Sequence, residues 1–140
     1  MGARELTIND YNAVYALWHS CQGIGLHSDA DNEYALRMYL SRNTGSSFVA
    51  LERGKIVGAV LCGHDGRRGY LHHLSVCAEY RRRGIATALV DRALDCLRQK
   101  GIRKCNGFVF VDNLDAFEFW RALGWATRDD LKVVSKTIIL

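Results

Sequence analysis

The basic turn at residues 81–87 carries the residue types and spacing with the clearest chemical meaning in this 140-residue chain. Its sequence, RRRGIAT, follows an apolar run at residues 70–76 and precedes a helical pattern of apolar side chains. A glycine between a strand and a helix lets the backbone approach a ligand closely, and the free N–H groups at a helix start favour an anion. We therefore interpret the turn as a cradle for a phosphate-bearing cofactor, although a triple-arginine run alone is more often a solvated basic turn.

The charge distribution favours a compact polyanion over nucleic acid. The formal net charge is +4, and seven basic residues are concentrated in short stretches: Arg67, Arg68, Arg81, Arg82, Arg83, Arg103 and Lys104. A nucleic-acid-binding domain would more often spread this charge over one face and interleave aromatic residues. No lysine follows Gly84 as a P-loop requires, and the G-x-G-x-x-G pattern of dinucleotide-binding folds is missing. Nucleic-acid binding is kept as the weaker alternative.

Composition and cysteine usage predict an ordinary cytoplasmic domain without a metal site. Hydrophobic residues make up 49% of the chain and charged residues 24%, and 140 residues fit one domain over positions 1–140. The five cysteines contain no C-x-x-C pair, which argues against a disulfide framework and a zinc site. No apolar run approaches the ~20 residues of a membrane span, and the N-terminal stretch lacks a signal-peptide pattern.

The elements that must position the basic turn are read from periodicity and capping residues. We predict strands at residues 5–8, 47–52, 55–62, 69–76, 105–111 and 133–140. The second and third are predicted to form a hairpin through Arg53 and Gly54. Helices are predicted after a cap at Asn9 or Asp10, after a cap within residues 28–31, from Ile85 to Lys100, and after Asp112 or Asn113. The order β-α-α-β-β-β-α-β-α-β predicts an α/β fold with helices on both faces of a central sheet.

Two motifs make the chain resemble the GNAT family of N-acetyltransferases over nearly its whole length. The family's acetyl-CoA motif is Gln or Arg, two variable residues, Gly, one variable residue, then Gly or Ala, and residues 81–86 read RRRGIA. A second motif of asparagine, alanine, aromatic, leucine, glycine and aromatic is matched at Asn113, Ala116, Phe119, Leu123, Gly124 and Trp125. The resemblance implies a single-domain fold with a mixed sheet of about six or seven strands, and acetyl-CoA as cofactor.

The resemblance also assigns cofactor-binding residues. Backbone N–H groups around the pyrophosphate would come from Arg83, Gly84, Ile85, Ala86 and Thr87, with charge from Arg81, Arg82 and Arg83. The pantetheine arm would pair with the backbone of Leu74 and Val76, and the Leu74 N–H would face the thioester carbonyl. Asn113 would hydrogen-bond the pantetheine or serve as an ordinary helix cap, and the two roles are compatible. Ala116, Phe119 and Trp120 complete the predicted set.

Acetyl transfer to an amine needs a group that assists amine deprotonation, because an amine resembling lysine has a pKa near ~10.4. His72 is the first candidate: histidine titrates near neutrality, and a histidine is similarly found in the arylalkylamine acetyltransferase branch of the family. Tyr70 shares its strand face, whereas His73 is expected to be structural. The alternative is that His72 only lines the cleft. Asp31 and Glu33 would attract a cationic amine or form a solvated helix start.

Trp120 departs from the family pattern. Many members have a tyrosine there, which is thought to protonate the departing thiolate, and an indole N–H cannot do so. Either the thiolate leaves unassisted, or Tyr70 or water substitutes, or catalysis is weak. The predicted function is therefore a cytoplasmic acetyl-CoA-dependent N-acetyltransferase acting on a primary amine of a small molecule or peptide. The alternative is a CoA-binding regulatory module. A monomer or a homodimer is expected, without nucleic-acid or membrane partners.

Overall fold

The computed structural model describes residues 2–139. It comprises two compact units, Met1–Phe108 and Val109–Leu140. The first unit contains all the strands of the described chain and three of its α-helices, and the second contains one further helix. None of the described helices is long and apolar enough to cross a membrane.

The first unit is built on one mixed five-stranded sheet. Its strands are β1 (Gly2–Glu5), β2 (Phe48–Glu52), β3 (Lys55–His64), β4 (Gly69–Val76) and β5 (Cys105–Gly107). They lie side by side in the order β1-β2-β3-β4-β5. Neighbouring strands from β1 to β4 are antiparallel, and β5 runs parallel to β4. A parallel neighbour requires a crossover, which the helix between β4 and β5 supplies.

The predicted hairpin between β2 and β3 is confirmed. Arg53 and Gly54 form the two-residue connection, and both have left-handed backbone angles (φ 51° and 77°). Two left-handed central residues are what a turn matching the strand twist requires.

The helices are α1 (Tyr11–Ser20), α2 (Glu33–Arg42), α3 (Ile85–Gln99) and, in the second unit, α4 (Leu114–Ala122). The predicted start of α3 at Ile85 is confirmed, as is its end, where Gly101 has a φ of 78°. Helix α2 begins slightly later than predicted, because the side chain of Asn32 caps it by accepting the N–H of Ala35 at 2.8 Å.

Helices cover both faces of the sheet, as predicted. On one face, α1 and α2 pack on β2 and β3 in a core of Leu6, Val14, Leu17, Trp18, Leu36, Val49, Ala59 and Leu61. Helix α3 lies on the other face, where it packs against Gly58 of β3. A Cβ added to Gly58 would lie only 3.1 Å from Cγ2 of Ile85 and 3.2 Å from Cδ1 of Leu89. Gly58 alternates with Ala59 along β3, so the two contacts belong to opposite faces. The glycine allows α3 to approach the sheet closely.

The strand count was wrong: the sheet of the described residues has five strands, not six or seven. Strand β1 is Gly2–Glu5 rather than residues 5–8, because the chain turns into a 3-10 helix at Ile8–Asp10. Strand β5 ends at Gly107, and no strand forms over residues 133–139, while Leu140 lies outside the described residues. Phe110, Ile138 and Ile139 are exposed. Their apolar pattern is not matched by a neighbouring strand, and a strand forms only where a neighbour accepts its hydrogen bonds. The element order otherwise agrees as far as α4.

Candidate functional site

The start of α3 presents unpaired main-chain donors. Gly84 precedes the helix in a left-handed conformation (φ 80°, ψ 8°), and the first amide with a helical acceptor is that of Ala88, 3.0 Å from the Gly84 carbonyl. The amides of Ile85, Ala86 and Thr87 precede it and have no main-chain acceptor in the described chain. A Cβ on Gly84 would meet no atom within 4 Å. These donors and the positive end of the helix dipole suit an anion that approaches through open space.

The three arginines of the turn have different surroundings. Arg81 donates from Nε to the carbonyl oxygen of Val76 at 3.2 Å, which ties its side chain to the end of β4. Arg82 has a left-handed backbone (φ 62°), and the guanidinium of Arg83 lies 5.1 Å from the ring centre of Tyr80. All three residues are exposed. Arg81 therefore braces the end of β4, and the charge that Arg82 and Arg83 would supply at the helix start stays a prediction.

The edge of β4 that faces β5 is open beyond Leu71. Strand β5 pairs only with Gly69, Tyr70 and Leu71, and no other described strand pairs with that edge. On the β3 side, the N–H of Cys77 donates to the carbonyl of Val57 at 2.8 Å, and Ser75 is opposite Ala59. Because amides alternate along a strand, those of Leu74 and Val76 point to the open edge. An extended ligand could pair with them there.

A β-bulge lies just before this edge. Ala59 pairs with Ser75 and Leu61 pairs with His72, so that His73 and Leu74 together lie opposite Val60. His73 takes a left-handed conformation (φ 53°). Such an extra residue bends the strand and changes the direction of neighbouring groups. The alternation of faces along β4 is therefore interrupted between His72 and Leu74.

His72 lies among three aromatic rings. Tyr70 is stacked on it at 6.4 Å between ring centres, which confirms the predicted common face, and Tyr39 and Phe108 lie at 6.3 and 6.0 Å. Burial lowers the pKa of His72 below its ordinary value; the neighbouring His73 lowers it further, and Asp31 acts in the opposite direction. The imidazole is consequently neutral at pH 7 and able to accept a proton.

Sequence reasoning missed a buried pair between Asp31 and His73. Nε2 of His73 lies 2.7 Å from Oδ1 of Asp31, and Asp31 is 7% exposed. The expectation that Asp31 attracts a cationic amine or sits in a solvated helix start was wrong, because its carboxylate is already engaged. Glu33 does lie in a solvated helix start, 3.4 Å from Arg37. No local pattern relates residues 31 and 73, which are 42 positions apart.

The second motif spans α4 and the turn that follows it, in the second unit. Asn113 caps this helix, its side-chain oxygen accepting the N–H of Ala116 at 3.2 Å, which confirms the predicted cap. The ring centre of Trp120 lies 5.0 Å from that of Phe119 and 4.5 Å from that of Trp125. The amide of Trp125 donates to the Trp120 carbonyl at 2.9 Å. Roles of these residues toward a cofactor stay predictions.

Among residues 2–139, no group of three or more His, Cys, Asp or Glu side chains could hold a metal ion. The arrangement in the first unit thus consists of free amides at a helix start, an open strand edge and a neutral imidazole, all within or next to residues 70–87. It can hold an extended anionic ligand and move a proton.

Comparison with known proteins identifies the family. The model of the acetyltransferase (GNAT) family matches residues 11–125. The chain is 30% identical over 139 residues to an acetyltransferase of Sodalis glossinidius, covering 99% of this chain and 96% of that protein. It is 31% identical over 138 residues to an acetyltransferase of Pectobacterium atrosepticum, covering 99% and 96%.

Solved structures show the same fold at lower identity. The PaiA N-acetyltransferase of Thermoplasma acidophilum in complex with coenzyme A has a TM-score of 0.80 at 19% identity, covering 91% of each chain. The aminoglycoside 6'-N-acetyltransferase AAC(6')-Iy in complex with a CoA-containing bisubstrate analogue has a TM-score of 0.77 at 19% identity, covering 98% of each chain. The sequence-based recognition is confirmed, and the chain belongs to the GNAT family of acetyltransferases.

Proposed function

We propose that this protein is an acetyl-CoA-dependent N-acetyltransferase that acetylates a primary amine of a small molecule or peptide. The observation that carries the proposal is the pairing, within one unit, of free amides at the start of α3 with the open edge of β4. A diphosphate and an extended pantetheine arm are the two parts of coenzyme A that these features suit. Two relatives of the same fold bind CoA or a CoA-containing analogue.

The helix start holds the diphosphate. Donors are the amides of residues 83–87 together with the Thr87 hydroxyl, and the left-handed Gly84 leaves the approach open. Ala86 is half-buried, and its small side chain keeps the phosphates close to the amides. Arg82 and Arg83 add charge, while Arg81 acts chiefly through its bond to Val76.

The open edge of β4 holds the pantetheine and the reacting carbonyl. Val76 pairs with the arm through its amide, and the Leu74 N–H donates to the thioester oxygen, where negative charge develops during attack. Bound acetyl-CoA supplies an activated acetyl group. A preoriented amide next to the bulge is suited to this role because it needs no reorganisation during the reaction.

His72 takes the proton that the acceptor amine loses. Its neutral imidazole is ready to accept a proton at pH 7, and the amine nitrogen then bonds to the acetyl carbon as the carbon–sulfur bond breaks. The ring wall of Tyr39, Tyr70 and Phe108 favours an acceptor that is apolar beside its amine. Tyr70 or water protonates the thiolate, which is also a good leaving group without help.

Asn113, Ala116, Phe119 and Trp120 are proposed as further cofactor-binding residues on the strength of the family motif. Trp120 offers an N–H donor to sulfur and no acid. This substitution motivates a second candidate function, in which the protein is a CoA-binding regulatory module with weak or no catalysis. A cytoplasmic location and a monomeric or homodimeric state belong to the proposal as well.

Thiol release from acetyl-CoA across a panel of amines tests the function, with the acetylated product identified by mass. We expect turnover with at least one amine, and a His72→Ala variant that loses about 100-fold or more in kcat while its CoA affinity is unchanged. His19→Ala is the matched control, because His19 is an exposed histidine of α1. Tight CoA binding without product from any amine would favour the regulatory module, and absence of CoA binding would overturn both candidates.

A further inference from the structure

The bulge in β4 has an unusual backbone that its own sequence does not favour. Three non-glycine residues among positions 2–139 have a positive φ: Arg53, His73 and Arg82. Arg53 and Arg82 lie in turns, whereas His73 lies inside a strand. A left-handed residue within a strand persists only where its surroundings hold it.

The His73 ring is held from two sides. Nε2 donates to Oδ1 of Asp31 at 2.7 Å, since the carboxylate can only accept. The ring also meets the buried Trp18 of α1 edge to face, with 4.9 Å between ring centres. The His73 side chain is 16% exposed, so little of it is free to move into solvent. The ring therefore fixes the backbone that carries it.

Asp31 in turn is held by groups from two other segments. Its second oxygen, Oδ2, accepts the N–H of His27 at 2.8 Å. Its carbonyl oxygen accepts the hydroxyl of Tyr11, in the first turn of α1, at 3.0 Å. Asp31 thus connects α1, the segment between α1 and α2, and the bulge of β4. Nothing in the anion site or the open strand edge requires these contacts.

We propose that the Asp31–His73 pair is a positioning device, which holds the bulge of β4 so that the Leu74 amide and the His72 ring are aimed at the reacting acetyl group. His73 lies between these two residues, so a change in its backbone turns both of them. The pair touches neither the start of α3 nor the Val76 amide. Its loss should therefore slow the chemical step and leave cofactor binding intact. This inference rests on the proposed function.

The test uses His73→Asn, Asp31→Ala and the double variant in the full chain, because an asparagine at position 31 would keep an amide oxygen able to accept from His73. Asparagine tolerates a left-handed backbone but cannot reach Asp31 as the imidazole does. Arg53→Asn, at a position with φ 51° in the β2–β3 hairpin, is the matched control. We expect each single variant to lose about 10- to 100-fold in kcat, with CoA affinity within twofold of wild type. The double variant should be no slower than the slower single variant, because both changes break one contact.

The amide resonances of Leu74 and Val76, followed by NMR without any acceptor amine, give a readout independent of turnover. We expect the Leu74 resonance to move in both single variants and the Val76 resonance to stay. Unchanged kcat in His73→Asn, or losses that add in the double variant, would overturn the proposal. If wild type binds CoA but acetylates nothing, the proposed function fails separately, and an unmoved Leu74 resonance would then overturn the positioning role.

Discussion

Replacing Gly84 by glutamate tests the proposed anion site most directly. Gly84 has a φ of 80°, and a Cβ at this position would meet no atom within 4 Å. The added Cβ therefore meets no neighbouring atom, and the glutamate side chain brings a carboxylate to the helix start where the diphosphate is proposed to bind. Folding and cofactor binding can thus be affected separately.

The two effects differ in size. A non-glycine residue in the left-handed region costs roughly 1–2 kcal/mol of folding stability, partly offset because a negative charge near a helix start contributes about 0.3–1 kcal/mol. Against a phosphate charge about 5 Å away, the carboxylate repels by about 1 kcal/mol in water and about 3 kcal/mol at an effective dielectric constant near 20. CoA binding should accordingly weaken by roughly 5- to 150-fold.

Isothermal titration of CoA at low ionic strength measures this loss, and urea unfolding measures the stability. Gly54→Glu is the matched control, because Gly54 has a φ of 77° and also has open space around its Cβ position. It should lose similar stability and bind CoA as wild type does. The affinity loss of Gly84→Glu should shrink at high salt, since screening weakens the repulsion.

CoA affinity within twofold of wild type in Gly84→Glu would refute the assignment of the diphosphate to the start of α3. Equal weakening in Gly54→Glu would also refute it, because the effect would then come from the strained backbone rather than from charge at the site.

Three further predictions concern buried groups. The Tyr39 hydroxyl is buried without a hydrogen-bond partner among the described residues, so Tyr39→Phe should leave the free energy of unfolding unchanged or raise it by up to about 1 kcal/mol; a clear loss in urea unfolding would contradict this. Asp10 accepts bonds from Arg4 at 2.8 and 2.9 Å, which lowers the pKa of its carboxyl. Asp10→Asn should therefore cost about 1–2 kcal/mol at pH 7. This stabilisation is present above the unfolded pKa of about 3.9 and is lost as the pH falls through the lower folded pKa. The difference in free energy of unfolding between wild type and Asp10→Asn should therefore disappear in acid. A difference that does not change with pH would contradict the role of the Arg4–Asp10 pair. Burial raises the pKa of the Cys62 thiol to about 12, and mass spectrometry should find Cys62 unlabelled by iodoacetamide at pH 8 until the protein unfolds; rapid labelling in the folded state would count against its burial.

Features that depend on neighbouring residues along the chain could be read from the sequence. The start of α3 after Gly84, its end at Gly101 and the hairpin at Arg53 and Gly54 all follow from local turn and capping chemistry. The Asn113 cap is likewise a contact over three positions. Because the proposed anion site consists of main-chain amides at a helix start, the residues that would form it could be named from the sequence as well.

Strand lengths and strand edges were predicted less well, because they depend on which segments meet. Residues 108–111 have an apolar pattern suitable for a strand, yet β5 ends at Gly107. The short β5 is what leaves the β4 edge open beyond Leu71. The sequence of β4 does not indicate which of its two edges pairs with another strand.

By itself, the sequence determined the family, the start of α3 after Gly84 and the order of elements as far as α4, since each rests on contacts spanning a few residues. The tertiary structure alone decided the bulge at His73 and its pairing with Asp31. A left-handed histidine inside a strand is unfavourable locally, and a partner 42 positions away makes it the stable conformation only once the chain has folded. The direction of the groups that would do the chemistry was therefore set by a long-range contact rather than by the motif that contains them.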